Sequence, residues 1–173
     1  MKLFRCRICG DPYLGSEPPS FCPFCGAPQK YMVPAEDYRD LNDIPNLSPK
    51  SRENLEKALG LEVKNAGFYM CASKCAPDPV SQAMFKALSK AEAEHASLVS
   101  KLLKVTKPEI IPDDKACQKV PRANFAAAHL KETQAVEFYR LAFSQAVEDR
   151  VREVFTALSE IESYHIALAE ARK

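Results

Sequence analysis

Residues 85–95 read F-K-A-L-S-K-A-E-A-E-H, and seventy positions later residues 155–165 read F-T-A-L-S-E-I-E-S-Y-H. Each stretch starts an apolar stripe at helical spacing that runs into Glu-x-x-His. One holds Phe85, Leu88, Glu92 and His95, the other Phe155, Leu158, Glu162 and His165. Spacings of three and four residues put these side chains on one helix face. A carboxylate and an imidazole therefore stand where a buried face calls for hydrocarbon, and they do so twice in register.

The same offset aligns L-E-V-K-N-A-G-F-Y (61–69) with K-E-T-Q-A-V-E-F-Y (131–139) without a gap, matching Glu62 to Glu132 and Tyr69 to Tyr139. The chain repeats one helical hairpin. Ser48 before Pro49 and Asp78 before Pro79 are helix starts, a capping oxygen followed by a proline suited to the first turn. Helices are expected over about 48–76, 78–105, 121–146 and 148–171, with a connection of about 16 residues between the second and third. This is a mostly α chain, a four-helix bundle of two repeated hairpins with a pseudo-twofold axis.

Glu62 and Glu92 lie equally far from the turn at residue 77, and Glu132 and Glu162 equally far from residue 147. Antiparallel helices of equal rise bring each pair to one level. Four carboxylates and two imidazoles then converge inside an apolar bundle, where unpaired charges would each cost several kcal/mol, on the order of a buried ion's desolvation. Two divalent cations would balance the four carboxylates, with His95 and His165 as neutral nitrogen ligands. One Glu from each of two helices plus Glu-x-x-His from each of the others is a di-iron or di-manganese ligand set. Tyr69 and Tyr139 follow their glutamates by two turns, and each phenol is expected to hydrogen-bond a ligand carboxylate on a neighbouring helix.

The N-terminal region differs in composition. It holds Cys6-Arg-Ile-Cys9-Gly10 and Cys22-Pro-Phe-Cys25-Gly26, with 12 residues between the pairs. Paired C-x-x-C is a strong four-sulfur signal for zinc or iron. The glycines let the backbone turn so that N–H groups face the thiolates. Spacing does not separate the two metals, but a one-electron iron centre beside a dinuclear redox site has a use that zinc lacks. The expected organisation is a four-cysteine metal module at 1–36, a linker at 37–47 and the bundle at 48–173.

The remaining composition excludes other classes. The chain is 46% hydrophobic and 27% charged with net charge +1, which points to neither nucleic acid nor an acidic membrane. No segment has the length and apolarity of a membrane span, so a cytoplasmic protein is expected, where cysteines favour metal or redox chemistry over a disulfide framework. Cys71 and Cys75 at the end of the first helix and Cys117 in the crossover are read mainly as buried small residues, with a regulatory thiol pair as the alternative.

Two C-x-x-C-G knuckles, two E…FY helices and two E-x-x-H helices resemble the rubrerythrin family, in the order with the rubredoxin-like module first that marks its reverse members. The resemblance covers nearly the whole chain. It implies a ferritin-like bundle carrying two Fe ions in a carboxylate-bridged site, held by Glu62, Glu92, His95, Glu132, Glu162 and His165. It also implies one Fe, with Zn as the alternative, at Cys6, Cys9, Cys22 and Cys25. The implied activity is a peroxidase that reduces hydrogen peroxide to water in oxidative-stress defence, with electrons relayed through the four-cysteine centre from a reductase or rubredoxin. The rival readings are a ferroxidase or oxidase using O2 and a non-enzymatic zinc-ribbon metal-binding or sensor protein. Rubrerythrins typically carry a further glutamate one turn beyond the third-helix ligand. Here that turn holds Ala135 and Val136, while His129, one turn before Glu132, is read as an extra ligand or proton donor or, as is commoner for such a histidine, a residue packed behind the ligands.

Glu62 lies about 14 residues into its helix, roughly 21 Å from the point where the module is tethered. Unless the tether folds back, electron transfer within one chain is long, and a head-to-tail homodimer shortens it. The crossover is also long enough to let hairpins swap between chains.

Overall fold

In a computed structural model, which describes residues 1–173, four helices carry most of the chain: α1 (Pro49–Cys75), α2 (Pro79–Leu103), α3 (Pro121–Gln145) and α4 (Asp149–Glu170). Their starts follow from local chemistry. Ser48 Oγ accepts the Ser51 N–H at 3.2 Å, Asp78 Oδ1 accepts the Ser81 N–H at 2.8 Å, and Pro49, Pro79 and Pro121 occupy first-turn positions. α1 packs on α2 and α3 on α4, with further contacts between α1 and α3 and between α2 and α4. The result is the expected ferritin-like bundle of two hairpins.

The N-terminal module is a three-stranded antiparallel sheet in the order β2-β1-β3, with β1 at Lys2–Cys6, β2 at Pro12–Gly15 and β3 at Met32–Pro34. Both prolines lie on outer strands, where a missing N–H breaks no ladder. Gly10 and Gly26 have φ of 91° and 78°, a backbone region closed to most side chains. Their N–H groups donate to the Cys6 and Cys22 carbonyls at 2.9 Å. These backbone bonds close the two knuckle turns.

The tether folds back. The module sits against the middle of the bundle, and its buried residues Cys6, Ile8 and Cys25 belong to one continuous apolar core with Leu98, Phe155 and Ile161. Arg150 in the first turn of α4, only 7% exposed, fastens it. Its guanidinium donates to the Arg7 and Ile8 carbonyls at 2.8 and 3.0 Å and to Asn42 Oδ1 of the linker at 2.9 Å. Arg7–Glu153 and Lys30–Glu160 ion pairs at 2.5 and 2.6 Å hold its rim.

The crossover between α2 and α3, which opens at the left-handed Lys104, lies along α1. The Asp113 N–H donates to the Gly67 carbonyl at 3.2 Å. A Cβ at position 67 would stand 2.5 Å from the Ile111 carbonyl oxygen, so the close approach requires glycine. One turn further along α1, Cys71 is disulfide-bonded to Cys117 of the crossover. Cys71 and Cys117 are therefore not isolated small residues.

Candidate metal centres

Glu62 on α1, Glu92 and His95 on α2, Glu132 on α3 and Glu162 on α4 are fully buried, and the His165 side chain is 11% exposed. They form two overlapping groups. Glu62, Glu92, His95 and Glu162 make one, and Glu92, Glu132, Glu162 and His165 the other, with ligand atoms in each group within 4.8 Å of one another. Glu92 and Glu162 belong to both, which is the pattern of two bridging carboxylates between two terminal pairs.

Both carboxylate oxygens of Glu92 and of Glu162, together with His165 Nδ1, have no aligned hydrogen-bond partner although they are buried. His165 Nδ1 nevertheless stands 2.7 Å from Glu162 Oε2 and 3.1 Å from Glu92 Oε1. His95 Nδ1 stands 3.3 Å from both Glu62 Oε2 and Glu162 Oε1. Buried polar atoms ordinarily find partners. Here they converge without an aligned hydrogen bond among them, which fits a divalent cation in each group.

The outer contacts hold these groups in position. His95 Nε2 is 2.8 Å from the Cys25 carbonyl oxygen. A carbonyl only accepts, so Nε2 carries the hydrogen and Nδ1 turns its lone pair to the carboxylates. The Tyr69 hydroxyl donates to Glu132 and the Tyr139 hydroxyl to Glu62. Asn65 Nδ2 adds a bond to Glu132 at 3.4 Å. Burial, then the neighbouring glutamates, raise the pKa values of Glu62 and Glu132 far above the carboxylate range. Burial opposes charge on His95 and His165 as well, but the surrounding glutamates outweigh it and push both upward. Burial and the adjacent carboxylates keep both tyrosine hydroxyls protonated.

In the module, Cys6, Cys9, Cys22 and Cys25 are buried together. The Cys6–Cys25 and Cys9–Cys22 sulfurs lie 3.7 and 3.8 Å apart. A tetrahedron with metal–sulfur bonds of about 2.3 Å has edges of about 3.8 Å. The sulfurs are spaced to hold one tetrahedral ion.

The twelve residues singled out by sequence thus gather into two clusters, ten as candidate ligands and two tyrosines behind them. His129 does not join them. It pairs with Glu170 at 2.9 Å on a partly exposed face, because one helical turn carries it away from the level of Glu132. Arg150, Asn42 and Asn65 were not anticipated. A charged residue in a first helical turn and asparagines in a linker or helix carry no local mark of their distant partners.

The fold and these clusters define a class: a four-helix bundle with a carboxylate–histidine centre, joined to a cysteine-knuckle module. The Rubrerythrin family pattern matches residues 53–173, and that of the rubrerythrin, rubredoxin-like domain matches residues 4–33. The chain belongs to the rubrerythrin family, with its rubredoxin-like domain N-terminal. It is 32% identical over 116 residues to Reverse rubrerythrin-1 of Clostridium acetobutylicum, an alignment covering 60% of this chain and 62% of that protein. The chain thus spans less than two thirds of the curated relative it matches. No solved structure matches it. No helix is long and apolar enough to cross a membrane.

Proposed function

We propose that the chain is a non-haem di-iron peroxidase acting in oxidative-stress defence. Hydrogen peroxide, two protons and two electrons yield two waters, and the electrons reach the bundle through iron at Cys6, Cys9, Cys22 and Cys25. Glu92 and Glu162 would face both bundle ions, Glu62 and His95 one of them, and Glu132 and His165 the other. Iron there would supply the two-electron reduction of an O–O bond, and the four-cysteine iron single-electron transfer. The physiological donor on this reading is a reductase or a rubredoxin.

The chain's own residues supply the rest. The buried aromatic layers of Tyr69, Phe85 and Phe125, and of Tyr139 and Phe155, exclude water on either side of the carboxylates. The Tyr69 and Tyr139 hydroxyls hold their protons against Glu132 and Glu62 and keep each carboxylate turned inward. His165 edges an open pocket of about 260 Å³ walled by Phe24, Met84, Leu88 and Leu168, an access route suited to a small neutral oxidant.

The observation that carries the reading is the bond from His95 Nε2 to the Cys25 carbonyl. It joins a candidate ligand of the bundle to the residue bearing a candidate ligand of the module, within one chain. No head-to-tail homodimer is needed to shorten the path. In rapid mixing of the fully reduced protein with peroxide, the four-cysteine chromophore should reappear at the rate of peroxide consumption. Colour returning much more slowly than turnover, or protein binding zinc at the cysteines when iron is supplied, defeats the relay.

One observation favours O2 as the oxidant. Ala135 and Val136 are buried where a further glutamate would extend the ligand set, leaving the two halves of the cluster alike. Turnover of the reduced protein with O2 exceeding that with peroxide would favour an oxidase or ferroxidase.

A further inference from the structure

Three cysteines outside both clusters meet where the crossover passes the end of α1. Cys71 and Cys117 form a disulfide with a Cα–Cα distance of 5.8 Å, inside the ordinary range for such a bond. The free Cys75 sulfur lies 3.3 Å from Cys117 Sγ and 4.0 Å from Cys71 Sγ. Their surroundings differ. Cys71 is 1% exposed, whereas Cys75 and Cys117 are both partly open to solvent. Of the three, only Cys75 and Cys117 present surface to a solvent thiol.

We propose that Cys71, Cys75 and Cys117 form a thiol–disulfide exchange site whose substrate is a dithiol, with Cys75 as the exchanging nucleophile. The Cys75 thiolate attacks Cys117 Sγ, the Cys71–Cys117 bond breaks, a Cys75–Cys117 bond forms, and Cys71 leaves as a thiolate that takes up the proton lost by Cys75. No electrons are gained or lost in this step. The disulfide has moved from a pair that includes the buried Cys71 to a pair of partly exposed residues. An external dithiol then attacks it, transfers two electrons, becomes a disulfide itself and leaves Cys75 and Cys117 as thiols. Exchange rates depend on which sulfur is attacked and on access to it, and Cys117 is both the nearer bonded sulfur to Cys75 and the more exposed residue of the bonded pair.

The position gives the chemistry a structural consequence. The disulfide closes a loop 46 residues long in sequence that contains all of α2 and clips the crossover to α1 one turn beyond Gly67. Cys117 also packs against the apolar cluster of Phe68, Tyr69 and Phe85 beside the acidic centre. Reduction frees the crossover at this point.

The test uses the full-length, metal-loaded chain in its oxidised state, with dithiothreitol as the dithiol, acid quench, alkylation and peptide mapping by mass spectrometry. Wild type should yield both Cys71–Cys117 and Cys75–Cys117 linked peptides. Cys75→Ser should yield only the first and be reduced at least tenfold more slowly. Cys71→Ser, folded with the Cys75–Cys117 bond, should be reduced at least as fast as wild type. Reduction of Cys75→Ser at the wild-type rate, or wild type yielding the Cys71–Cys117 peptide alone, overturns the proposal. So does stoichiometric zinc released on alkylation of the three sulfurs, which would make them a metal site.

Discussion

The two hairpins are near copies in sequence and unequal in their surroundings. His95 and His165 occupy equivalent positions in the repeat. His95 is fully buried with its Nε2–H donated to the Cys25 carbonyl, while His165 edges the open pocket. The first hairpin also carries the crossover, through Gly67 and Cys71, whose counterparts in the second are Glu137 and Leu141, both exposed. A twofold ligand set has been given one closed side and one open side. The repeat supplies a balanced carboxylate–histidine cluster, and docking a single module on it makes the surroundings of the two histidines unequal.

The largest expected effect lies at a shared carboxylate. Glu92 belongs to both overlapping groups and Glu62 to one. Glu92→Ala should lose bound metal on both sides, whereas Glu62→Ala should lose it chiefly on the His95 side, as read by metal analysis after iron loading. Equal losses in the two variants would mean that the groups are not bridged as described.

The next effect concerns the crossover, which has a covalent clip on the first hairpin only. Closing a 46-residue loop stabilises by up to about 4 kcal/mol on the chain-entropy account. Cys117→Ser should therefore lower the guanidinium midpoint markedly, and amide exchange at Asp113, bonded to the Gly67 carbonyl, should quicken. A protected Asp113 amide in this variant would show that Gly67 alone holds the crossover.

Arg150 distinguishes the closed side. Arg150→Ala orphans the Arg7 and Ile8 carbonyls and Asn42, an expected destabilisation of about 2–3 kcal/mol for buried groups left unpaired. Metal content should be unchanged while electron return from the module slows. A variant with normal return kinetics would show that the His95–Cys25 bond positions the module unaided.

The smallest effect is electrostatic. Glu148, in the turn between α3 and α4, accepts the Ser48 N–H and the Ser51 hydroxyl at the start of α1 and so ties the two hairpins together. Burial opposes its charge, but these bonds outweigh it and hold its pKa below the usual carboxylate value. A depressed folded-state pKa contributes stability above the unfolded value of about 4.3, and that stability is lost as pH falls through the folded value. Glu148→Gln should thus be less stable than wild type at pH 7, with the gap narrowing below about pH 4. A gap independent of pH in thermal unfolding would assign the tie to packing.

Much of this was legible in the chain because it is local or periodic. Ser48 and Asp78 capped the helices they announced, since a cap involves residues three apart. The offset of seventy brought Glu62, Glu92, Glu132 and Glu162 to one depth, since equal rise per residue needs only an antiparallel hairpin. Even the tyrosine bonds to carboxylates of facing helices followed from the lean of helical side chains. For His129 the sequence left a ligand role and simple packing both open, and a turn along the helix is enough to carry it to the partly exposed Glu170.

By itself, then, the sequence determined the hairpin repeat, the two knuckles and the residues that line the bundle's centre, because spacing along a chain dictates which face of an element a side chain occupies. Only the tertiary structure decided which side of that near-symmetric cage the module covers, that Arg150 fastens it, and that Cys117 reaches Cys71. Those contacts join residues 46 to 143 positions apart, where no periodicity marks the partner and packing of the whole chain selects it.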